Sequence, residues 1–106
     1  MAATFGERIK ELRLRRGLTL DQLAQATGSS KSYVWELENK NPPRPSAEKL
    51  SAIAVALAVT VDYLMGNDEQ TLADAEDKAF YRSYSSMPPE TRRQIREMAK
   101  ILGAKK

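Results

Sequence analysis

Thr19-Leu20-Asp21-Gln22-Leu23-Ala24-Gln25-Ala26-Thr27-Gly28-Ser29-Ser30-Lys31-Ser32-Tyr33-Val34-Trp35-Glu36-Leu37-Glu38 is the stretch whose reading decides the fold. Thr19 is placed to cap a helix, Asp21 puts a negative charge in its first turn where the helix dipole favours it, and Leu20, Leu23 and Ala24 give it an apolar face. After two turns Thr27-Gly28-Ser29 interrupts the pattern. Gly28 can take the left-handed conformation that a tight turn needs. Ser29 or Ser30 then caps a second short helix, with Tyr33, Val34 and Leu37 facing inward and a polar outer face running to about Asn39. Ala24 is small at the point where the two helices must cross closely. An ordinary helix pair needs the apolar residues, but not a small residue and a glycine at these offsets.

Upstream, Thr4 and Glu7 stand at capping-box spacing, and Phe5, Ile9, Leu12 and Leu14 read as the apolar face of a first helix that Gly17 ends. Downstream, Asn41-Pro42-Pro43-Arg44-Pro45 reads as a stiff loop, because proline lacks the backbone donor and biases its predecessor toward extended geometry. Ser46 then caps a helix with Leu50, Ile53, Ala54 and Leu57 on one face. Thr60 caps a short fifth containing Val61, Leu64 and Met65, closed by Gly66. Five short helices with brief loops and no credible strand define a compact all-α domain over residues 1–66. Helices this short depend on tertiary packing.

The polar, turn-forming run Gly66 to Thr71 places a linker over 67–71. Beyond it Leu72, Ala75, Ala79, Phe80, Tyr84 and Met87 step by three or four, and after Pro88-Pro89 a further face appears at Ile95, Met98, Ile101 and Leu102. Residues 72–106 therefore form a helical hairpin, which should pack on the first domain or on a second subunit.

Composition narrows the function. The 106 residues include no cysteine and no histidine, which removes disulfides, thiolate metal sites and the commonest general base and metal ligand together. An enzyme would have to rely on paired carboxylates, and the acidic residues here read as caps and helix surface. No cofactor or metal is expected. The longest apolar run, Ala52 to Val59, is too short to cross a bilayer, and Met1 to Lys10 lacks a signal-peptide layout, so a soluble cytoplasmic protein with no membrane partner is expected. A net charge of +3 permits binding to a polyanion without demanding it. Residues 1–66 carry nine bases and seven acids and 67–106 eight and seven, so neither part is a basic arm.

The chain resembles the phage repressor and Cro-like helix-turn-helix proteins, the Xre group of transcriptional regulators, over about Phe5 to Met65. The resemblance is carried by Ile9-Lys10-Glu11-Leu12-Arg13, by Leu18-Thr19 through Leu23-Ala24, by Gly28 to Val34, by Leu37-Glu38-Asn39 and by Leu57 to Leu64. It implies a five-helix lambda-repressor-like DNA-binding domain that inserts its third helix into the major groove of double-stranded DNA, usually as a homodimer on a pseudo-palindromic operator. On that docking, Ser30, Lys31, Ser32, Trp35, Glu36, Asn39, Lys40 and Arg44 are the candidate DNA contacts. Lys31 and Ser32, at the helix N-terminal end, approach base edges, Lys31 donating to guanine O6 or N7. Glu36 either accepts from cytosine N4 or pairs with Lys40 at the i, i+4 offset. Trp35 either rests against a sugar or thymine methyl or packs under the proline loop, as tryptophans more often do. Ser30, Asn39, Lys40 and Arg44 are expected at the phosphates. Many relatives carry a phosphate-bracing glutamine where this chain has Leu20, and Gln22 cannot replace it. Arg13 and Glu38 match positions that form a buried, structural ion pair in some family members.

The hairpin carries no motif of its own. Isologous pairing of Phe80, Tyr84, Met87, Ile95, Met98 and Leu102 would bury its apolar face in a dimer. From Phe80-Tyr81 to Met87-Pro88-Pro89-Glu90 the tail also resembles the ends of regulators encoded beside metallopeptidases that inactivate them. That resemblance implies the alternative reading, an antitoxin or peptidase-controlled regulator whose hairpin binds a toxin or peptidase.

Overall fold

The computed structural model describes residues 4–40, 42–66 and 71–104. The described residues are all-helical: α1 (Phe5–Arg15), α2 (Leu20–Thr27), α3 (Lys31–Asn39), α4 (Ala47–Leu57), α5 (Val61–Met65), α6 (Leu72–Ser85) and α7 (Pro89–Ala104). The linker expected over 67–71 lies outside the described residues except for Thr71.

Local chemistry sets where these helices start. Thr4, Thr19, Ser30, Ser46, Thr60 and Thr71 each sit in extended conformation before a helix, and each side-chain oxygen accepts the amide three residues on. Thr4–Glu7 and Thr19–Gln22 complete reciprocal capping boxes. The Thr4 backbone amide and then its side chain hold the Glu7 carboxyl below its ordinary range. Pro89 occupies the first position of α7, where its missing amide is no loss. Gly17, Gly28 and Gly66 all have positive φ. Ala58 adopts the same left-handed conformation at the end of α4, with φ 58°, allowing the Val59 amide to donate to the Ala54 carbonyl.

Helices α1 to α5 enclose one core, in which Ile9, Leu12, Leu23, Val34, Leu57 and Leu64 are all but inaccessible. Leu14 corrects the expected stripe on α1. It lies two residues, about 200°, around the helix from Leu12 and is 58% exposed. Two arginines, one in α1 and one at its C-terminal cap, reach α4, α5 and α6. Arg8 Nη1 donates to the Tyr63 carbonyl at 2.6 Å with its guanidinium 4.5 Å from the Tyr63 ring centroid. Arg16 Nε donates to the Leu57 carbonyl at 2.8 Å, and its Nη2 pairs with Glu76 at 2.7 Å.

Only the first turns of α6 join the core, through Leu72 and the fully buried Ala75. Beyond them the hairpin projects. The radius of gyration is 15.7 Å, above the roughly 13 Å of a compact chain this long. At the elbow Phe80 stacks on Tyr84, centroids 6.1 Å apart, and Arg96 Nη1 donates to the Tyr84 hydroxyl at 2.8 Å.

Candidate nucleic-acid interface

Helix α3 is held from beneath and open above. Val34, Leu37 and Glu38 are buried, while Lys31, Ser32, Trp35, Glu36, Asn39 and Lys40 are exposed. The underside is fixed by one ion pair. Arg13 Nε donates to Glu38 Oε2 at 2.6 Å and Arg13 Nη2 to Glu38 Oε1 at 3.0 Å, a parallel fork across α1 and α3. Arg13 Nη1 reaches the Leu18 carbonyl at 2.9 Å, tying the α1–α2 connection to the same pair.

The turn between α2 and α3 is fixed as firmly. Gly28 is left-handed, with φ 65°, and the Thr27 hydroxyl bonds back to the Leu23 carbonyl at 2.8 Å. From α4, Lys49 Nζ donates to the Thr27 carbonyl at 2.8 Å, to the Gly28 carbonyl at 3.1 Å and to Ser29 Oγ at 2.9 Å. These satisfy carbonyls that the end of α2 would otherwise leave without partners. Lys49 was not singled out by sequence reasoning, yet it carries a signal. It is the third residue of its own helix, where the dipole disfavours a cation, so its charge needs a partner elsewhere. Gly6 was missed too. A Cβ there would lie 2.5 Å from the Leu37 carbonyl oxygen and 2.8 Å from that of Glu38, so α1 and the end of α3 touch backbone to backbone.

At two positions the outer face bears on alternatives that the sequence left open. Trp35 is 44% exposed among the candidate contacts, more than packing under the proline loop would leave it. Lys40 does not pair with Glu36; its Nζ stands 5.7 Å from the centroid of the Trp35 ring. Asn39 Nδ2 donates to the Trp35 carbonyl at 2.9 Å. Lys31 makes a loose 4.0 Å ion pair with Asp21 across the turn, both side chains largely in water. Ser30 is the cap of α3, its Oγ accepting from the Tyr33 amide at 3.1 Å. Arg44 is exposed on the proline loop, with Pro45 buried beside it. Leu20, Lys31, Ser32, Trp35 and Glu36 line an open notch of about 340 Å³ on this face.

On the hairpin, Phe80, Met98 and Leu102 are 55%, 61% and 65% exposed, and Tyr84, Met87 and Ile95 are half-buried. Among the described residues no helix is long and apolar enough to cross a membrane, and no group of three or more acidic side chains is arranged to hold a metal ion.

Two short helices about a left-handed glycine, with the second locked beneath and polar above, define a helix-turn-helix protein. The chain belongs to the helix-turn-helix domain family, whose model matches residues 4–64. It is 32% identical over 72 residues to the HTH-type transcriptional regulator SinR of Bacillus licheniformis, covering 68% of this chain and 65% of SinR. It is 40% identical over 80 residues to the immunity repressor protein of Bacillus phage phi105, covering 76% of this chain and 53% of the repressor. The matches thus span under two thirds of these relatives' lengths. Among solved structures, the biofilm regulator SinR in complex with DNA superposes with TM-score 0.54 and 34% identity, over 57% of this chain and 97% of that one. A SinR–SinI protein complex superposes with TM-score 0.56 and 25% identity, over 95% of this chain and 99% of that one.

Proposed function

We propose that this chain is a sequence-specific, double-stranded-DNA-binding transcriptional regulator. It acts in the cytoplasm as a repressor, without catalysis or cofactor. The observation that carries the reading is α3 itself: Lys31, Ser32, Trp35, Glu36 and Asn39 face solvent on a helix that the Arg13–Glu38 fork and the Lys49 clamp hold in one orientation. Such a helix meets base edges already ordered, so little entropy is lost on docking. Lys31 and Ser32 read bases. Ser30, Asn39, Lys40 and Arg44 hold the phosphates. SinR, a relative by sequence, is known in complex with DNA, which supports the same mode here.

Residues 1–66 are the DNA-binding domain and 72–106 a hairpin that builds a dimer through Phe80, Tyr84, Met87, Ile95, Met98 and Leu102. Two recognition helices then address half-sites roughly 10 base pairs apart. A second reading of the hairpin, as the seat of a partner protein, draws support from the SinR–SinI complex, whose SinR-like chain matches almost the full length of this one.

Selection of bound sequences from a random duplex pool tests the proposal. An enriched site of two related half-sites is expected, bound with an affinity that falls steeply with salt as phosphate contacts release counterions. Lys31→Ala should alter base preference, and Arg44→Ala should weaken all sequences alike. No enrichment, or binding indifferent to salt, overturns it.

A further inference from the structure

We infer that the notch between Leu20 and Trp35 receives the 5-methyl group of a thymine, which makes Leu20, on α2, a specificity residue. The inference rests on the DNA-binding reading above and adds to it one base and one pocket.

Leu20 opens α2 half-buried against the core, and Trp35 stands across from it on α3 with 44% of its surface exposed. Together they make the apolar part of a notch whose remaining lining is Lys31, Ser32 and Glu36. Trp35, exposed on the polar side of α3, and the uncovered part of the half-buried Leu20 on α2 leave apolar surface in water, a cost that an apolar occupant relieves. In the major groove the thymine 5-methyl is the apolar group that a standard base edge presents, and it stands next to the O4 acceptor. Lys31, on the rim, is the matching donor for that acceptor. Leu20 offers no hydrogen bond to a phosphate, and the Glu36 carboxylate on the same rim repels one, which favours a base edge over the backbone. Lys40, near the Trp35 ring, adds positive charge on the outer side, where the strand passes.

The test uses the full chain and the duplex it selects. Each thymine of a half-site is replaced singly by uracil, which deletes the methyl and preserves pairing. One position should weaken binding about fourfold, the effect of one methyl group returning to water. The same replacement should cost little in Leu20→Ala and in the more exposed Trp35→Ala, each checked for unchanged thermal unfolding. A 5-methylcytosine·guanine pair at that position carries the methyl beside a donor that Glu36 can accept, and should bind more tightly than an unmethylated cytosine·guanine pair. The inference fails if no thymine responds, if the uracil penalty persists undiminished in both variants, or if 5-methylcytosine binds no better than cytosine. Tight duplex binding with none of these responses overturns the notch alone; absence of duplex binding overturns the regulator reading with it.

Discussion

Glu38→Ala should destabilise this protein strongly, whatever it does to any contact with DNA. The Glu38 side chain is 1% exposed and that of Arg13 10%, so the pair is out of water, and the fork between them is short and parallel. Removing the carboxylate leaves the guanidinium buried with the Leu18 carbonyl as its remaining partner among these contacts. Stranding one member of a buried pair costs about 3 to 5 kcal/mol, whereas an exposed pair is worth less than about 1 kcal/mol. A domain this size has roughly 5 to 15 kcal/mol in total, so the melting temperature should fall by roughly 12 to 40 °C. Replacing both partners, Arg13→Met with Glu38→Leu, should recover most of the loss, because it removes the desolvation cost together with the attraction. Urea titrations followed by circular dichroism, on the wild type, Glu38→Ala and the double variant, give the comparison directly. A loss below about 1 kcal/mol for Glu38→Ala would mean that the pair behaves as a surface pair. A double variant no better than the single one would mean that the stranded charge is not the source. Either result refutes the reasoning, and DNA affinity measured on Glu38→Ala should follow the folded fraction.

Two further substitutions probe other parts of the molecule. Gly6→Ala gains about 1 kcal/mol of helix propensity, yet its Cβ would meet backbone oxygen at 2.5 Å; a net loss of about 1 to 3 kcal/mol is expected, and an unchanged melting temperature would show that α1 slides freely over α3. Phe80→Glu places a charge on the exposed hairpin face; sedimentation should show a dimer for the wild type and a monomer for the variant, with the melting temperature of the DNA-binding helices little altered, and a wild type that is monomeric at all concentrations would remove the dimer reading.

What the sequence made legible was local. The hydroxyl caps of α1 to α5, the Thr4–Glu7 capping box, Gly28 and Gly66 act within a turn or two of themselves, and each falls where the pattern placed it, whereas the Thr19–Gln22 box and the Thr71 cap were not read. What it concealed depends on chain segments meeting from afar. Gly6 is an unremarked helical glycine until Leu37 comes to rest on it, and Lys49 is a surface lysine until the turn at Thr27 arrives. Ala58 takes a conformation its own residue type disfavours, so nothing nearby announced it. Trp35 shows how a residue-type prior fails. Tryptophan is buried more often than not, but the three-residue step from Val34 to Leu37 sets the inward stripe of α3, and Trp35 lies outside it.

The hairpin's placement follows from a small set of contacts, and in the proposed dimer these bear on how two recognition helices are spaced. Leu72 and Ala75 seat the start of α6 in the core, and Glu76 pairs with the Arg16 guanidinium, which is itself anchored on the Leu57 carbonyl at the end of α4. Because α6 is a continuous helix from Leu72 to Ser85, fixing its first turns also aims its outer end, where Phe80 and Tyr84 stack. A rotation at the root is carried outward by a rise of about 1.5 Å per residue, so a small change at Glu76 becomes a displacement of the apolar face several times larger. In a dimer built on that face, half-site spacing is therefore set as much by Arg16 and Glu76 as by the residues that touch the second subunit. In the proposed dimer the recognition helix determines which bases are read, and this remote ion pair helps determine how far apart two copies of it read them.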